Sequence, residues 1–237
     1  MTSTPASPFD QSNAPGGQEC LPEPLPSDPF PLFRMWWNEA HLKKVQPNPN
    51  AMTVATLDAD GRIGARILLC KEVNDAAGYL VFYTNYTSRK GLALGANARA
   101  ALVFHWDTLD RQVRVEGSIT RSPAEESDAY FATRPWQSRI GAWASDQSKP
   151  IGSRAAMQDK IAQTMRRFGI DPANPQGEGV LIPRPPHWGG FRVWAQSIEL
   201  WAAATGRLHE RAAWTRTLSP GPQGFEGGPW RATRLQP

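Results

Sequence analysis

The sequence predicts a mainly β protein, a barrel of short antiparallel strands with flanking helices, and three observations carry that prediction. Five apolar or alternating runs follow one another between residues 51 and 120, separated by short turn-length gaps except between Thr84 and Arg99, where a short helix is expected to start at Ser88-Arg89-Lys90. The gaps at Asp58-Ala59-Asp60-Gly61 and Asn74-Asp75-Ala76-Ala77-Gly78 hold residues suited to tight reversals. The longer helical patterns lie on either side of this series, and short antiparallel strands in series are the pattern of a barrel.

Taken in order, residues 1–27 are rich in Pro, Ser, Gly and Gln and offer little to bury, which predicts a flexible tail ahead of one domain over 28–237. Asp28 is placed to cap a helix with Pro29 in its first turn, and Phe33, Trp36, Trp37 and Ala40 fall on one face of it. Strands are predicted at Ala51 to Leu57, Ile63 to Glu72, Tyr79 to Thr84, Arg99 to Trp106 and Arg111 to Thr120. Ser122-Pro123-Ala124-Glu125 has the form of a capping box and starts a helix that runs to Thr133, before Pro135 interrupts. A helix fits Ser153 to Phe168 with Gly169 as its stop, and a Pro-rich loop covers Asp171 to Trp188. Closing strands are predicted at Phe191 to Trp194, Ser197 to Trp201, Leu208 to Trp214 and Trp230 to Leu235.

A chain of 237 residues that is 40% hydrophobic suits one core, and its formal charge of +4 suits anionic ligands. No apolar run approaches the roughly 20 residues of a membrane span, since the best are Tyr79 to Tyr83 and Ala100 to Phe104. With neither a basic leader nor an apolar stretch behind it at the N-terminus, the expected compartment is the cytoplasm. Cys20 and Cys70 lie far from any CxxC spacing, so neither a disulfide nor a metal site is expected.

Four segments carry chemistry. In FYTNYTSRKG a strand runs into Ser88-Arg89-Lys90 at a helix start, where free N–H groups, a hydroxyl and two cations suit a phosphate. In RILLCK, Arg66 and Lys71 would point to opposite faces of a regular strand and so serve different parts of a site. In SDAYFATRPWQSRIGAWASDQS, Tyr130 and Arg134 share a helix face, with Ser138 beyond the break at Pro135. In LWAAATGRLHER, Arg207, His209 and Arg211 would alternate along one strand face. Taken singly, a basic turn, a strand with charged ends, helix packing and a surface histidine are the more ordinary accounts of these segments.

Together these segments, with RQVRVEG, PRPPHWGGFRV, IELW and the terminal RLQP in the same order, resemble the pyridoxamine 5'-phosphate oxidase family from about Pro29 to Pro237. The resemblance implies an FMN-binding split β-barrel with flanking helices, a homodimer held partly by its C-terminal strands, and two sites between the subunits. It implies that flavin mononucleotide (FMN) is held by Arg66, Ile67, Leu68, Leu69, Lys71, Tyr83, Thr84, Ser88, Arg89, Lys90, Gln112, Gln147, Ser148, Trp201 and Arg211. Lys71, Tyr130, Arg134 and Ser138 would bind the substrate phosphate, and Arg207 and His209 would be the catalytic pair against the pyridine ring. The implied reaction oxidises pyridoxine or pyridoxamine 5'-phosphate to pyridoxal 5'-phosphate, with O2 reoxidising the flavin to give H2O2 and no part for nucleic acid or membrane.

This chain departs from the family pattern at Trp136 and Arg139, where the family commonly has Arg and Gln, at Ala202 and Cys70, and in a Pro/Gly-rich insertion over Leu218 to Gly228. Trp136 and Arg139 are expected to add bulk and charge near the substrate phosphate. Two other readings follow from the same residues: a split-barrel oxidase of the phenazine-biosynthesis type, and a flavin-binding or nucleic-acid-binding protein without catalysis.

Overall fold

A computed structural model describes residues 21–237. Its elements are α1 (Phe30–Leu42), β1 (Ala51–Leu57), β2 (Ile63–Leu69), β3 (Glu72–Asn74), β4 (Tyr79–Asn85), α2 (Arg89–Ala96), β5 (Arg99–Trp106) and β6 (Arg111–Arg121). There follow α3 (Ala124–Ala132), α4 (Trp136–Ala144), α5 (Arg154–Arg167), β7 (Trp188–Ala202), β8 (Glu210–Thr215), β9 (Leu218–Gly221), β10 (Gly224–Gly227) and β11 (Arg231–Leu235). No helix among the described residues is long and apolar enough to cross a membrane.

All the strands but β9 and β10 form one antiparallel sheet in the order β11-β8-β7-β6-β5-β1-β2, with β4 branching from β7 and β3 pairing β4. The branch arises because β7 is 15 residues long. Its first half pairs with β4 and its second half with β8, while β6 follows it from Phe191 to Ala202 across an irregularity between Glu116 and Gly117. A bulge of this kind bends the strands and lets one sheet edge part into two, which gives a split barrel. Alternation places Met52, Val54, Leu102, Phe104, Val113 and Val115 in the core. The apolar face of α1 closes over that core, with Phe33 packed 5.5 Å from the Phe104 ring and the buried Trp36 under the Arg111 guanidinium.

Several expectations are corrected in detail. Of the expected tail, residues 1–20 lie outside the described residues, but 21–27 form a packed strap. Leu21 is buried, and Pro26 O accepts a hydrogen bond from Trp214 Nε1 at 2.7 Å. The expected strand Ile63 to Glu72 breaks at Cys70-Lys71 into β2 and β3. Ser122 does not close a capping box: its hydroxyl donates to Glu126 Oε1 at 3.1 Å, and α3 begins after Pro123 with no side-chain cap. Pro135 does more than end a helix, because its fixed φ of −51° starts α4. The two strands expected within 191–201 are one strand, and the strand expected from Leu208 begins only at Glu210. The insertion folds as the β9–β10 hairpin, whose Leu218 and Phe225 cover Tyr79, Val81 and Trp194.

Candidate functional site

The sheet split opens a cavity of about 720 Å3 between β2, β4 and the α3–α4 pair, within the range usual for small-molecule sites. Of the expected residues, Ile67, Leu68, Leu69, Lys71, Tyr83, Thr84, Tyr130, Arg134, Ser138 and Gln147 line it. Ser138 reaches the cavity because α4 restarts the helical path beyond Pro135.

At one side lies the start of α2. Ser88 caps the helix, accepting from Gly91 N at 3.3 Å and donating to Asn85 O at 2.7 Å. Lys90 is buried, and its ammonium donates to Gln147 Oε1 at 2.7 Å and to Thr84 Oγ1 and Ser88 Oγ at 3.2 Å. Burial, with a smaller contribution from Arg66, lowers its pKa from 10.5 to about 8. Arg66 donates to Val54 O and Thr56 Oγ1, and its pKa is lowered by burial and then by the neighbouring Arg89. Arg89 is paired with Asp58. Ser148, with φ of 72°, ends the chain segment that brings Gln147 to Lys90.

Across the cavity the wall is aromatic and cationic. Tyr83 and Tyr130 stack at 4.0 Å, Trp188 stacks 5.5 Å from Tyr83, and the Arg134 guanidinium lies 4.6 Å over Trp188. Arg134 Nη1 is buried with no hydrogen-bond partner, and burial lowers the pKa of the group. An orphaned guanidinium nitrogen at a cavity wall is a costly arrangement that a bound anion would relieve. Lys71 stands 5.9 Å from the Tyr130 ring. It does not sit on β2, so the expected opposition to Arg66 across one strand does not apply; the strand break sends Lys71 into the cavity while Arg66 stays with Arg89.

The remaining expected residues form a second group away from this cavity. Gln112, Trp201 and Arg211 stand directly opposite one another across β6, β7 and β8, a single row on one sheet face. His209 lies 4.6 Å from the Trp201 ring, and its Nδ1 accepts from Ala204 N at 3.2 Å. The shared strand face expected for Arg207, His209 and Arg211 is not present. Arg207 is exposed in a 3-10 turn before β8 with φ of 63°, and His209 also precedes the strand. Gly206 and Arg207 both take left-handed conformations, which reverses the chain where alternation predicted extension.

Trp136 and Arg139 also fall elsewhere than expected. Trp136 packs with Ile140, Met165, Ile170 and Ile182 and donates to Glu178 Oε1 at 3.0 Å. Arg139 faces Val180 O. Both departures therefore pack under the 171–187 loop, and neither lines the cavity.

Residues 39–166 match the family described as pyridoxamine 5'-phosphate oxidase, and residues 188–237 match the pyridoxine 5'-phosphate oxidase C-terminal dimerisation region. The chain belongs to the pyridoxamine 5'-phosphate oxidase family. Curated relatives named pyridoxine/pyridoxamine 5'-phosphate oxidase include one from Cupriavidus necator, 47% identical over 210 residues, and one from Burkholderia multivorans, 49% identical over 210 residues. Each alignment covers 89% of both chains. Among solved structures, PhzG from Burkholderia lata 383, in complex with tetrahydrophenazine-1-carboxylic acid, is 29% identical with a TM-score of 0.75, covering 90% of this chain and 94% of its own. A pyridoxamine 5'-phosphate oxidase-related, FMN-binding protein from Nostoc punctiforme shares the fold at 15% identity and a TM-score of 0.63, over 87% of this chain and 98% of its own.

Sequence reasoning missed several residues at the site. Trp188, read as the end of a loop, is the stacking partner of Tyr83 and carries Arg134. Asn85 accepts from Thr87 N and Thr87 Oγ1, which shapes the turn into α2; an Asn ahead of a helix cap was the available signal. Glu126 accepts from Arg192 and from Tyr83 Oη, a pairing across 66 residues that left no local signal.

Proposed function

We propose that this protein is an FMN-dependent oxidase that converts pyridoxine 5'-phosphate or pyridoxamine 5'-phosphate to pyridoxal 5'-phosphate. The observation that carries the reading is a pair of cation groups, one lining the cavity and one beside it behind Thr84 and Gln147. Lys90 and Arg66 lie at the α2 terminus and Lys71 and Arg134 at the aromatic wall, and none of the four has a carboxylate partner among the described residues. Two phosphorylated ligands, a flavin mononucleotide and a phosphorylated pyridine, call for this arrangement.

FMN would be held by Arg66, Ser88, Arg89 and Lys90 at its phosphate and by Ile67, Leu68, Leu69, Lys71, Tyr83, Thr84, Gln147 and Ser148 along its length. FMN would supply a two-electron acceptor for the hydride lost by the substrate; those electrons, with the hydride's proton and the second proton the substrate loses, reduce dioxygen to hydrogen peroxide, and with the amine substrate water is also taken up and ammonia released. Tyr130, Arg134 and Ser138, with Lys71, would bind the substrate phosphate and so fix the reacting carbon against the ring system. The stack of Tyr83, Tyr130 and Trp188 would border that contact with apolar surface on one side.

Gln112, Trp201, Arg207, His209 and Arg211 lie outside the cavity of their own chain, and we assign them to the cavity of a second copy in a homodimer. The match of residues 188–237 to a dimerisation region supports this assignment, and a twofold axis would complete both sites at once. With Nδ1 accepting from the Ala204 N–H, the Nε2–H of His209 would be left to donate a hydrogen bond to the substrate oxygen substituent. Arg207 would stabilise negative charge that develops on the ring during transfer.

Likeness to PhzG favours a second reading, an unphosphorylated aromatic acid as substrate. The experiment that separates the two is anaerobic addition of substrate to the purified yellow protein. Pyridoxine 5'-phosphate should bleach the flavin band within seconds and unphosphorylated pyridoxine should not. A colourless protein that no added FMN reconstitutes overturns the cofactor, and equal bleaching by both compounds overturns the substrate.

A further inference from the structure

We propose that Asp58 is a positioning residue for the flavin phosphate, holding Arg89 in the orientation the phosphate needs; this rests on the cofactor assignment above. Asp58 follows β1 in a turn that is itself fixed. Its N–H donates to Arg62 O at 2.8 Å, and its carbonyl accepts from Gly61 N at 3.0 Å and from Asn97 Nδ2 at 3.2 Å. The carboxylate is 14% exposed. Oδ2 accepts from both Arg89 Nε at 3.0 Å and Arg89 Nη2 at 2.9 Å, while Oδ1 is buried with no partner. The guanidinium is thus gripped along one edge, and Nη1 makes no hydrogen bond among the described residues.

The neighbours show why a carboxylate stands beside an anion site. A Cβ on Gly64 would lie 2.8 Å from Arg66 Nη2 and 3.9 Å from Arg89 Cζ, so the two guanidiniums approach over a residue with no side chain. Asp58 offsets the repulsion between them, acting on Arg66 in the opposite sense to Arg89. Arg89 is a half-exposed side chain in the first turn of α2. Left free, it would lose its rotamer freedom when phosphate bound; held by Asp58, it loses that freedom on folding instead.

The sign of the effect decides between this role and simple electrostatics. Removing a negative charge beside a phosphate site should tighten binding if only charge matters. If Asp58 positions Arg89, the same change weakens it. The test is titration of apo-protein with FMN and, separately, with riboflavin, which lacks the phosphate, followed by quenching of flavin fluorescence. Asp58→Asn keeps the shape of the side chain and one acceptor oxygen; should its melting curve show it unfolded, Asp58→Ser takes its place.

The expected result is an FMN Kd raised roughly tenfold, the size of one charge-assisted contact, with the riboflavin Kd unchanged. Arg89→Ala should weaken FMN at least as much, and the double variant should be no weaker than Arg89→Ala alone, because Asp58 acts only through Arg89. Unchanged or tighter FMN binding in Asp58→Asn, equal weakening of riboflavin, or a double variant whose effects multiply would overturn the proposal. If Arg89→Ala itself binds FMN like the parent, the phosphate assignment falls, and the Asp58 role falls with it.

Discussion

Replacing Lys90 by Met removes the buried charge beside the cavity that is proposed to meet the flavin phosphate, while keeping most of the side chain's volume. With a pKa of about 8, Lys90 is about nine-tenths protonated at pH 7, so it is available to a phosphate. A charge-assisted hydrogen bond contributes about 1.5–3 kcal/mol, which is about 10- to 150-fold in Kd. Lys90 already donates to Gln147, Thr84 and Ser88 and gives up some of that bonding to the ligand, so the lower part of the range, about 10- to 30-fold, is expected. The parent should also lose FMN affinity as pH rises above about 8, because the free protein then releases the Lys90 proton that the phosphate needs. The limit is about tenfold per pH unit, and Lys90→Met should show no such fall. In the apo-protein the depressed pKa acts the other way. Between about 8 and 10.5 the unfolded chain holds a proton the native one has released, so this group's contribution to stability rises with pH across that window and is least below it. Fluorescence titration from pH 6.5 to 9.5 reads the binding effects. A Kd within twofold of the parent, with the same pH profile, would refute the assignment of Lys90 to the phosphate.

Arg134→Met should leave flavin content unchanged and raise the KM for pyridoxine 5'-phosphate by about 10- to 100-fold; steady-state peroxide production reads this, and a KM within twofold of the parent would count against the substrate-phosphate site. Trp136→Arg restores the residue the family commonly carries, and because Trp136 packs under the 171–187 loop, its KM should stay within about twofold of the parent while the melting temperature changes. A tenfold shift in KM would return Trp136 to the substrate site. Phe225→Ala should cost about 1–2 kcal/mol by uncovering Trp194 and Tyr79, a fall of about 2–8 °C in Tm; an unchanged Tm would mean the hairpin contributes no burial.

The parts of the fold that were legible in the sequence are those governed by local alternation. β1, β5 and β6 lie where the apolar periodicity places them, and Ser153 caps α5 by accepting from Ala156 N. Legibility fails where backbone conformation departs from the side-chain pattern. Leu208 and His209 alternate like strand residues, yet the left-handed pair at Gly206 and Arg207 keeps them in a turn. Cys70-Lys71 sits inside an apolar run, but Lys71 N bonds Val81 O after the strand has turned toward β4. The same division holds at the cavity. Ser88-Arg89-Lys90 and Tyr130-Arg134 are contiguous and carry their own chemistry. Asp58, Trp188 and the Glu126–Arg192 pair act through partners 31 to 105 residues away, and only the folded chain brings them together.

The central claim is that each cavity is completed by the other subunit, and mixed dimers test it most directly. Assayed with pyridoxine 5'-phosphate well below its raised KM, Arg134→Met disables the cavity half of a site, and Arg207→Ala disables the half carried by the β7–β8 turn, lowering turnover by about one to three orders of magnitude. Differently tagged subunits of the two variants, unfolded together and refolded with FMN in equal amounts, give half mixed dimers by random pairing. If Arg207 serves its partner's cavity, each mixed dimer has one site with both substitutions and one with neither. The mixture should then recover roughly a quarter of parent turnover, set by twofold symmetry alone. Activity that stays at the mean of the two variants would place Arg207 in the cavity of its own chain and contradict the shared site.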